Sequence, residues 1–218
     1  MKDQNIHDII SLLTEEAKKW EIPIVTQLAL QKYQPFNILI STLLSLRTKD
    51  ETTAGATKRL FRLAGTPAEM LGLLPETIAQ AIYPVGFYRN KARTILAVCR
   101  ELLGRYGSQV PDTMEQLLAL PGVGRKTANL VLTLGFAKEG ICVDTHVHRI
   151  SNRLGYVRTK TPEQTEFALR EKLPQKYWIN YNTLMVAFGR LICRPLSPFC
   201  SICPILSFCD RADVNRNR

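Results

Sequence analysis

Apolar residues in this chain recur three and four positions apart and seldom alternate with polar ones, a periodicity that fits helices and leaves little material for a sheet. In the first segment Ile6, Ile9, Ile10, Leu13, Ala17 and Trp20 share one face while Glu15, Glu16 and Lys18 lie away from it, which predicts an amphipathic surface helix. Glycines and prolines mostly separate segments of about 8 to 18 residues, so roughly ten helices and an all-α fold are expected. Thr66-Pro67-Ala68-Glu69 and Thr161-Pro162-Glu163-Gln164 each combine a capping hydroxyl, a first-turn proline and a Glu or Gln at the third helical position. Asp112 with Glu115 gives a looser version of the same start.

A chain of 218 residues with 45% hydrophobic and 22% charged residues is long enough to bury a sizeable core, as one large or two small interlocked domains. Lys and Arg outnumber Asp and Glu 29 to 19, a formal charge of +10, which shifts the expectation toward nucleic acid. The first twenty residues lack the apolar core and small-residue cleavage site of a signal peptide, and their acidic residues argue against a transit peptide. The longest apolar runs, such as Asn37 to Leu46, are too short and too polar to span a bilayer. A cytoplasmic protein without a membrane partner is expected.

The stretch LPGVGRKTANL, Leu120 to Leu130, sets Gly122 and Gly124 before an Arg-Lys pair that opens an apolar helix. A phosphate-binding loop of nucleotide hydrolases needs its lysine directly after the last glycine and a strand before the loop. Here Arg125 intervenes and the preceding segment is helical. Two readings stay open: a tight turn between core helices with a solvated lysine, or a helix-hairpin-helix whose Gly122-Val123-Gly124 tip offers backbone donors to DNA phosphates. Lys126, at the positive end of a helix and beside Arg125, is expected to hold its proton less firmly and so to be a better nucleophile. Pro84 to Ala92, PVGFYRNKA, echoes Pro121 to Ala128, PGVGRKTA, so a second helix start of this kind is expected there.

Downstream, the apolar residues Ile141, Cys142 and Val143 lead into Asp144, which is expected to be partly desolvated, to cap the helix of His148 to Leu154, or both. His146 and His148 point to different helix faces and are read as structural, and Ser, Cys and His form no hydrolase triad. Cys193, Cys200, Cys203 and Cys209 follow a C-x6-C-x2-C-x5-C spacing. Cysteines this dense are ligands or disulfides; a cytosolic context leaves zinc or iron–sulfur, and the single close pair leans toward iron–sulfur. Cys99 and Cys142, in apolar helical contexts, are read as buried thiols.

LPGVGRKTAN and VDTHVHRISNRLG, with FNILISTLLSLRTKD and GFYRNKARTI upstream, resemble the endonuclease III family of helix-hairpin-helix DNA glycosylases over nearly the whole chain. The resemblance implies a bifunctional base-excision repair enzyme acting on double-stranded DNA with damaged bases or abasic sites. It would remove oxidised pyrimidines of the thymine glycol type and cut the strand by β-elimination. Lys126 would be the attacking amine and Asp144 the assisting carboxylate. It also implies a [4Fe-4S] cluster held by Cys193, Cys200, Cys203 and Cys209. The glycosylases that excise adenine or mismatched thymine resemble this chain but generally lack the lysine, so Lys126 argues for lyase activity.

Two positions depart from the best-known bacterial pattern of the family. Arg47 stands where a glutamine fills the gap left by the flipped base, and Phe87 replaces a leucine wedge. Both are read as DNA-probing residues, against an exposed cation and an ordinary core aromatic. The expected architecture is two helical lobes with a DNA-binding cleft between them: residues 22–134, containing the hairpin at about 112–132, and an iron–sulfur domain of residues 1–21 with 135–218. Lys126 and Asp144 would face each other across that cleft. Lys91, Arg93, Arg125, Arg149 and Arg153 are candidates for its rim. Pro195, Leu196, Pro198, Phe199, Ile202 and Phe208 would shield the cluster, whose loop offers DNA only Arg194. A monomer is expected. The competing functions are a uracil or thymine mismatch glycosylase of the same fold and a non-catalytic iron–sulfur DNA-binding protein.

Overall fold

The computed structural model describes residues 3–20, 23–31 and 34–218. Among them are twelve α-helices joined by short turns and no strand, so the fold is all-α. The chain divides into two compact units, Ile24–Lys138 and Met1–Pro23 with Glu139–Arg218. Glu21 and Ile22, where the sequence suggests a boundary, lie outside the described residues. At the other boundary Lys138 donates to the Asp112 carbonyl and carboxylate, both at 2.7 Å, which ties it to the first of these units.

The unit Ile24–Lys138 is built around α3 (Pro35–Ser45), which is apolar along most of its length. Phe36, Ile38, Leu39, Ile40, Leu43 and Leu44 are all buried, as expected of a helix that is hydrophobic on every side. Around it pack α2 (Ile24–Leu30), α4 (Asp50–Leu63), α7 (Tyr88–Tyr106) and α9 (Arg125–Leu130). Two short helices, α5 (Pro67–Leu71) and α6 (Pro75–Ile82), lie against α7. Thr66 and Glu69 complete the predicted capping box at α5. At α8 (Met114–Leu118) the cap is Thr113, which accepts from the Gln116 N–H at 3.3 Å, one residue later than Asp112 with Glu115. Asp112 instead pairs with Lys138. Both registers fit the capping rule, and Thr113 has the extended backbone that a cap requires.

The other unit pairs α1 (Ile6–Ala17) with α12 (Trp178–Leu191), while α10 (Thr145–Arg153) packs on α12 and on α11 (Pro162–Lys172). Ile6, Ile9, Ile10 and Leu13 bury the predicted apolar face of α1 in one core with Val147, Ile150, Tyr181, Met185 and Phe188. Thr161 caps α11 by accepting from the Gln164 N–H at 3.2 Å, as its sequence predicts.

Candidate active site and cysteine loop

The hairpin is a local consequence of two glycines. Gly122 has φ +72°, and a Cβ there would lie 2.7 Å from Thr94 Cγ2, so both conformation and space demand glycine. Gly124 is exposed, extended and the N-cap of α9, a position that leaves the first-turn N–H groups without intrahelical acceptors. Val123 between them is buried and its N–H bonds to the Leu120 carbonyl at 3.2 Å. Its buried side chain and bonded N–H anchor the tip. Arg125 and Lys126 open α9, both half-buried. Behind them Thr127, Ala128, Asn129 and Leu130 are buried, and the helix passes into a π-helical turn, Val131–Gly135.

Asp144 is the N-cap of α10, and its Oδ1 accepts from the His146 N–H at 2.8 Å and the Val147 N–H at 3.0 Å. The helix starts at Thr145, a turn earlier than the sequence suggests. The approach through Ile141, Cys142 and Val143 is buried, and Asn182 holds the Cys142 carbonyl at 3.1 Å. Asp144 is half-buried, so capping and partial desolvation coexist. His146 and His148 are both engaged structurally: His146 Nδ1 lies 3.1 Å from Arg149, and His148 Nδ1 lies 2.6 Å from the Thr165 hydroxyl. Burial holds the His148 imidazole below its ordinary range.

Arg47 and Phe87 meet within the unit Ile24–Lys138. Phe87 is 61% exposed, which excludes the core-aromatic reading, and the Arg47 guanidinium lies over its ring at 5.7 Å from the centroid. Both residues have left-handed backbone, φ +53° and +58°, an uncommon conformation for non-glycine residues. Lys91 does not sit on a rim. Its ammonium turns inward, donating to the carbonyls of Leu44 at 2.8 Å and Leu46 at 2.5 Å and to the Thr48 hydroxyl at 3.2 Å. Burial pulls it down to about 8. The α3 C-terminus, where carbonyls lack helical donors, takes up this charge.

Arg149 and Arg153 are corrected in the same way. Arg149 donates to the Gly189 carbonyl at 3.2 Å and the Cys193 carbonyl at 2.9 Å. Arg153, 8% exposed, donates to the Arg194 and Pro195 carbonyls at 2.7 and 2.5 Å and reaches Cys193 Sγ at 3.6 Å. Both pin the cysteine loop. Arg93 is exposed, as a rim residue would be.

The four cysteines line one cavity with Ile150, Leu154, Phe188 and Ile205. Leu196 is 91% and Ile202 68% exposed, so these two do not shield it; residues of α10 and α12 take that part. Burial pushes the Cys203 thiol up to about 11 and raises Cys200 and Cys209, with the other cysteines adding to the rise. Such a set holds thiolates together only around compensating positive charge. The Arg211 N–H donates to Cys209 Sγ at 3.3 Å. The sequence pointed to Arg194 alone on this loop, but Arg218 returns to it, and both guanidinium groups cover the Phe199 ring, at 4.9 and 5.2 Å. Cys99 and Cys142 are buried, as read.

An all-helical chain in which a glycine-tipped hairpin feeds a lysine-bearing helix is a helix-hairpin-helix protein. The family described as HhH-GPD superfamily base excision DNA repair protein matches residues 40–175, which contain both the hairpin and Asp144. Endonuclease III of Thermotoga maritima is 52% identical over 176 residues, covering 81% of this chain and 83% of that protein. The plant relatives are longer: Endonuclease III homolog 2, chloroplastic, of Arabidopsis thaliana is 45% identical, and the chain spans 49% of its length. A solved non-covalent Endonuclease III-DNA complex superposes with a TM-score of 0.86 at 35% identity, covering 97% of this chain and 96% of that one. A trapped Endonuclease III-DNA covalent intermediate gives 0.82 at 35% identity, covering 97% of each chain. The chain belongs to the HhH-GPD superfamily, in its endonuclease III branch. It is accordingly an enzyme of base-excision repair, a DNA glycosylase and AP lyase.

Proposed function

We propose that the substrate is duplex DNA carrying an oxidised pyrimidine of the thymine glycol type or an abasic site, and that Lys126 is the nucleophile. The observation that carries this reading is the position of Lys126 in the first turn of a helix led by a glycine hairpin. The same fold is known in a covalent complex with DNA. The Gly122 to Arg125 tip grips backbone phosphates without reading sequence. The damaged nucleotide leaves the stack, a step that is cheapest where damage has already weakened stacking. The Lys126 amine then attacks C1′ as the base departs with the glycosidic electron pair, while Asp144 takes the amine proton and stabilises positive charge on the sugar. The sugar ring then opens, the C1′–O4′ bond breaking as the nitrogen lone pair forms the imine and O4′ takes up a proton, and loss of a C2′ proton from that imine expels the 3′ phosphate.

Cys193, Cys200, Cys203 and Cys209 fit a [4Fe-4S] cluster. They line one cavity, with the Arg153 guanidinium beside Cys193 Sγ and the Arg211 N–H on Cys209 Sγ, and this supports the reading. Bound there, the cluster would supply charge compensation and a covalent tie across the loop. No helix of the described residues is long and apolar enough to cross a membrane. The test is borohydride trapping on thymine glycol and abasic duplexes. Wild type is expected to form a covalent complex and Lys126→Gln none. Trapping that survives in Lys126→Gln overturns the assignment, and base release without trapping in wild type points to a monofunctional mismatch glycosylase.

A further inference from the structure

The loop after α3 and the loop before α7 carry the two DNA-probing residues, Arg47 and Phe87, and are joined at a half-buried knot. Lys91 lies one turn into α7, its N–H bonding to the Phe87 carbonyl at 2.9 Å, so its position is fixed relative to the phenyl ring. Its ammonium binds the residues on either side of Arg47, through the Leu46 carbonyl and the Thr48 hydroxyl. The Thr48 hydroxyl also accepts from the Gly86 N–H at 3.2 Å, directly before Phe87. Gly86 permits this closeness, because a Cβ there would lie 2.8 Å from the Arg47 carbonyl oxygen. The neighbours of each probe are thus bonded to the neighbours of the other, and the probes themselves are stacked. Two left-handed non-glycine residues persist here because the surrounding bonds over-determine them.

We propose that Lys91 is a positioning residue that fuses the Arg47 and Phe87 loops into a single rigid probe, so that gap filling and wedging happen together when a base is extruded. This rests on the reading of Arg47 and Phe87 as DNA-probing residues. Two independent loops would each have to be ordered on DNA, whereas the fused pair arrives ordered. An abasic site has no base to push out, so the burden of the fused probe falls on lesions that still carry one.

The experiment is a double-mutant cycle on single-turnover base release from a thymine glycol duplex. Arg47→Ala and Phe87→Ala are made singly and together, in wild type, in Lys91→Met and in Gly86→Ala. Lys91→Met removes the tie, and Gly86→Ala pushes the Arg47 loop away without touching the charge. In wild type the rate of the doubly substituted enzyme is expected to differ from the product of the single effects by about threefold or more. In Lys91→Met and Gly86→Ala that coupling is expected to vanish and base release to fall about tenfold, with trapping on abasic DNA kept within about twofold. Lys91→Arg, which keeps a donor, is expected to restore part of the coupling. Coupling that survives in both Lys91→Met and Gly86→Ala overturns the proposal while leaving the probing roles intact. If Arg47→Ala and Phe87→Ala each leave base release unchanged, the probing reading itself fails and the proposal falls with it.

Discussion

Replacing Asp144 separates its two jobs. Its carboxylate caps α10 through two N–H groups, and under the proposed mechanism it also serves the chemistry. Asp144→Ala strands both donors, and losing an Asp cap costs about 0.5–2 kcal/mol. Asp144→Asn keeps an oxygen acceptor on a residue that caps equally well, so it gives up only the interaction of charge with the helix dipole, about 0.3–1 kcal/mol. For a chain of this size 1 kcal/mol moves Tm by roughly 2–4 °C, so the Ala protein should melt roughly 1–8 °C below wild type and the Asn protein by about half as much. Base release should fall by about 10²–10⁴-fold in both, because neither side chain can take a proton from Lys126. Thermal unfolding followed by circular dichroism, beside base release from a thymine glycol duplex, reads both effects. An Asn protein as unstable as the Ala protein would refute the capping argument, and one with wild-type base release would refute the role of the carboxylate.

Gly122→Ala should cost stability and weaken duplex binding together, since the left-handed backbone and Thr94 both resist a Cβ; unchanged affinity in a salt titration would remove the tip from the DNA interface. Arg153→Met strands the Arg194 and Pro195 carbonyls at about 1–3 kcal/mol each, and purified protein should carry less iron per chain; full iron content would show that the loop does not need this brace. Because His148 is held below 6.5 by burial, the unfolded chain binds more protons than the folded one once pH falls beneath that value. The stability His148 contributes is therefore complete above about pH 6.5 and is lost on acidification. Melting at about pH 7.5 and about pH 5 should show a smaller drop in His148→Gln than in wild type, and equal drops would acquit this residue.

What the sequence made legible was short-range. The capping box at Thr66, the cap at Asp144 and the apolar face of α1 each depend on residues within a few positions, and all three are present. Lys91, Arg149 and Arg153 were misread for the opposite reason. As cations near a glycine turn or a helix face they look solvent-directed, yet each ends on carbonyls about forty residues away in sequence, which no local pattern announces. Val123 looks like part of an exposed tip until the hairpin folds it under. Thr113 and Asp112 compete for one cap, and only the ion pair with Lys138, distant in sequence, removes Asp112 from the contest. Exposure of Phe87 follows from its left-handed backbone at the start of α7, a conformation its composition does not suggest.

The pairing of α1 with α12 has a consequence for how the chain is made. Helix α1 belongs to a core whose remaining walls are encoded after residue 139, with an entire unit in between. The Ile24–Lys138 unit has all its helices in hand and can condense early, while α1, apolar on one face, must wait for Tyr181, Met185 and Phe188. Joining ends about 120 residues apart through a flexible loop would cost about 4 kcal/mol in closure entropy. A segment that has already collapsed shortens that path. Cys193 to Cys209 emerge later still, so loading of the proposed cluster would follow the condensation of that unit. Chains halted before that point would expose the apolar stripe of α1, a handle for chaperones and proteases to recognise an unfinished product.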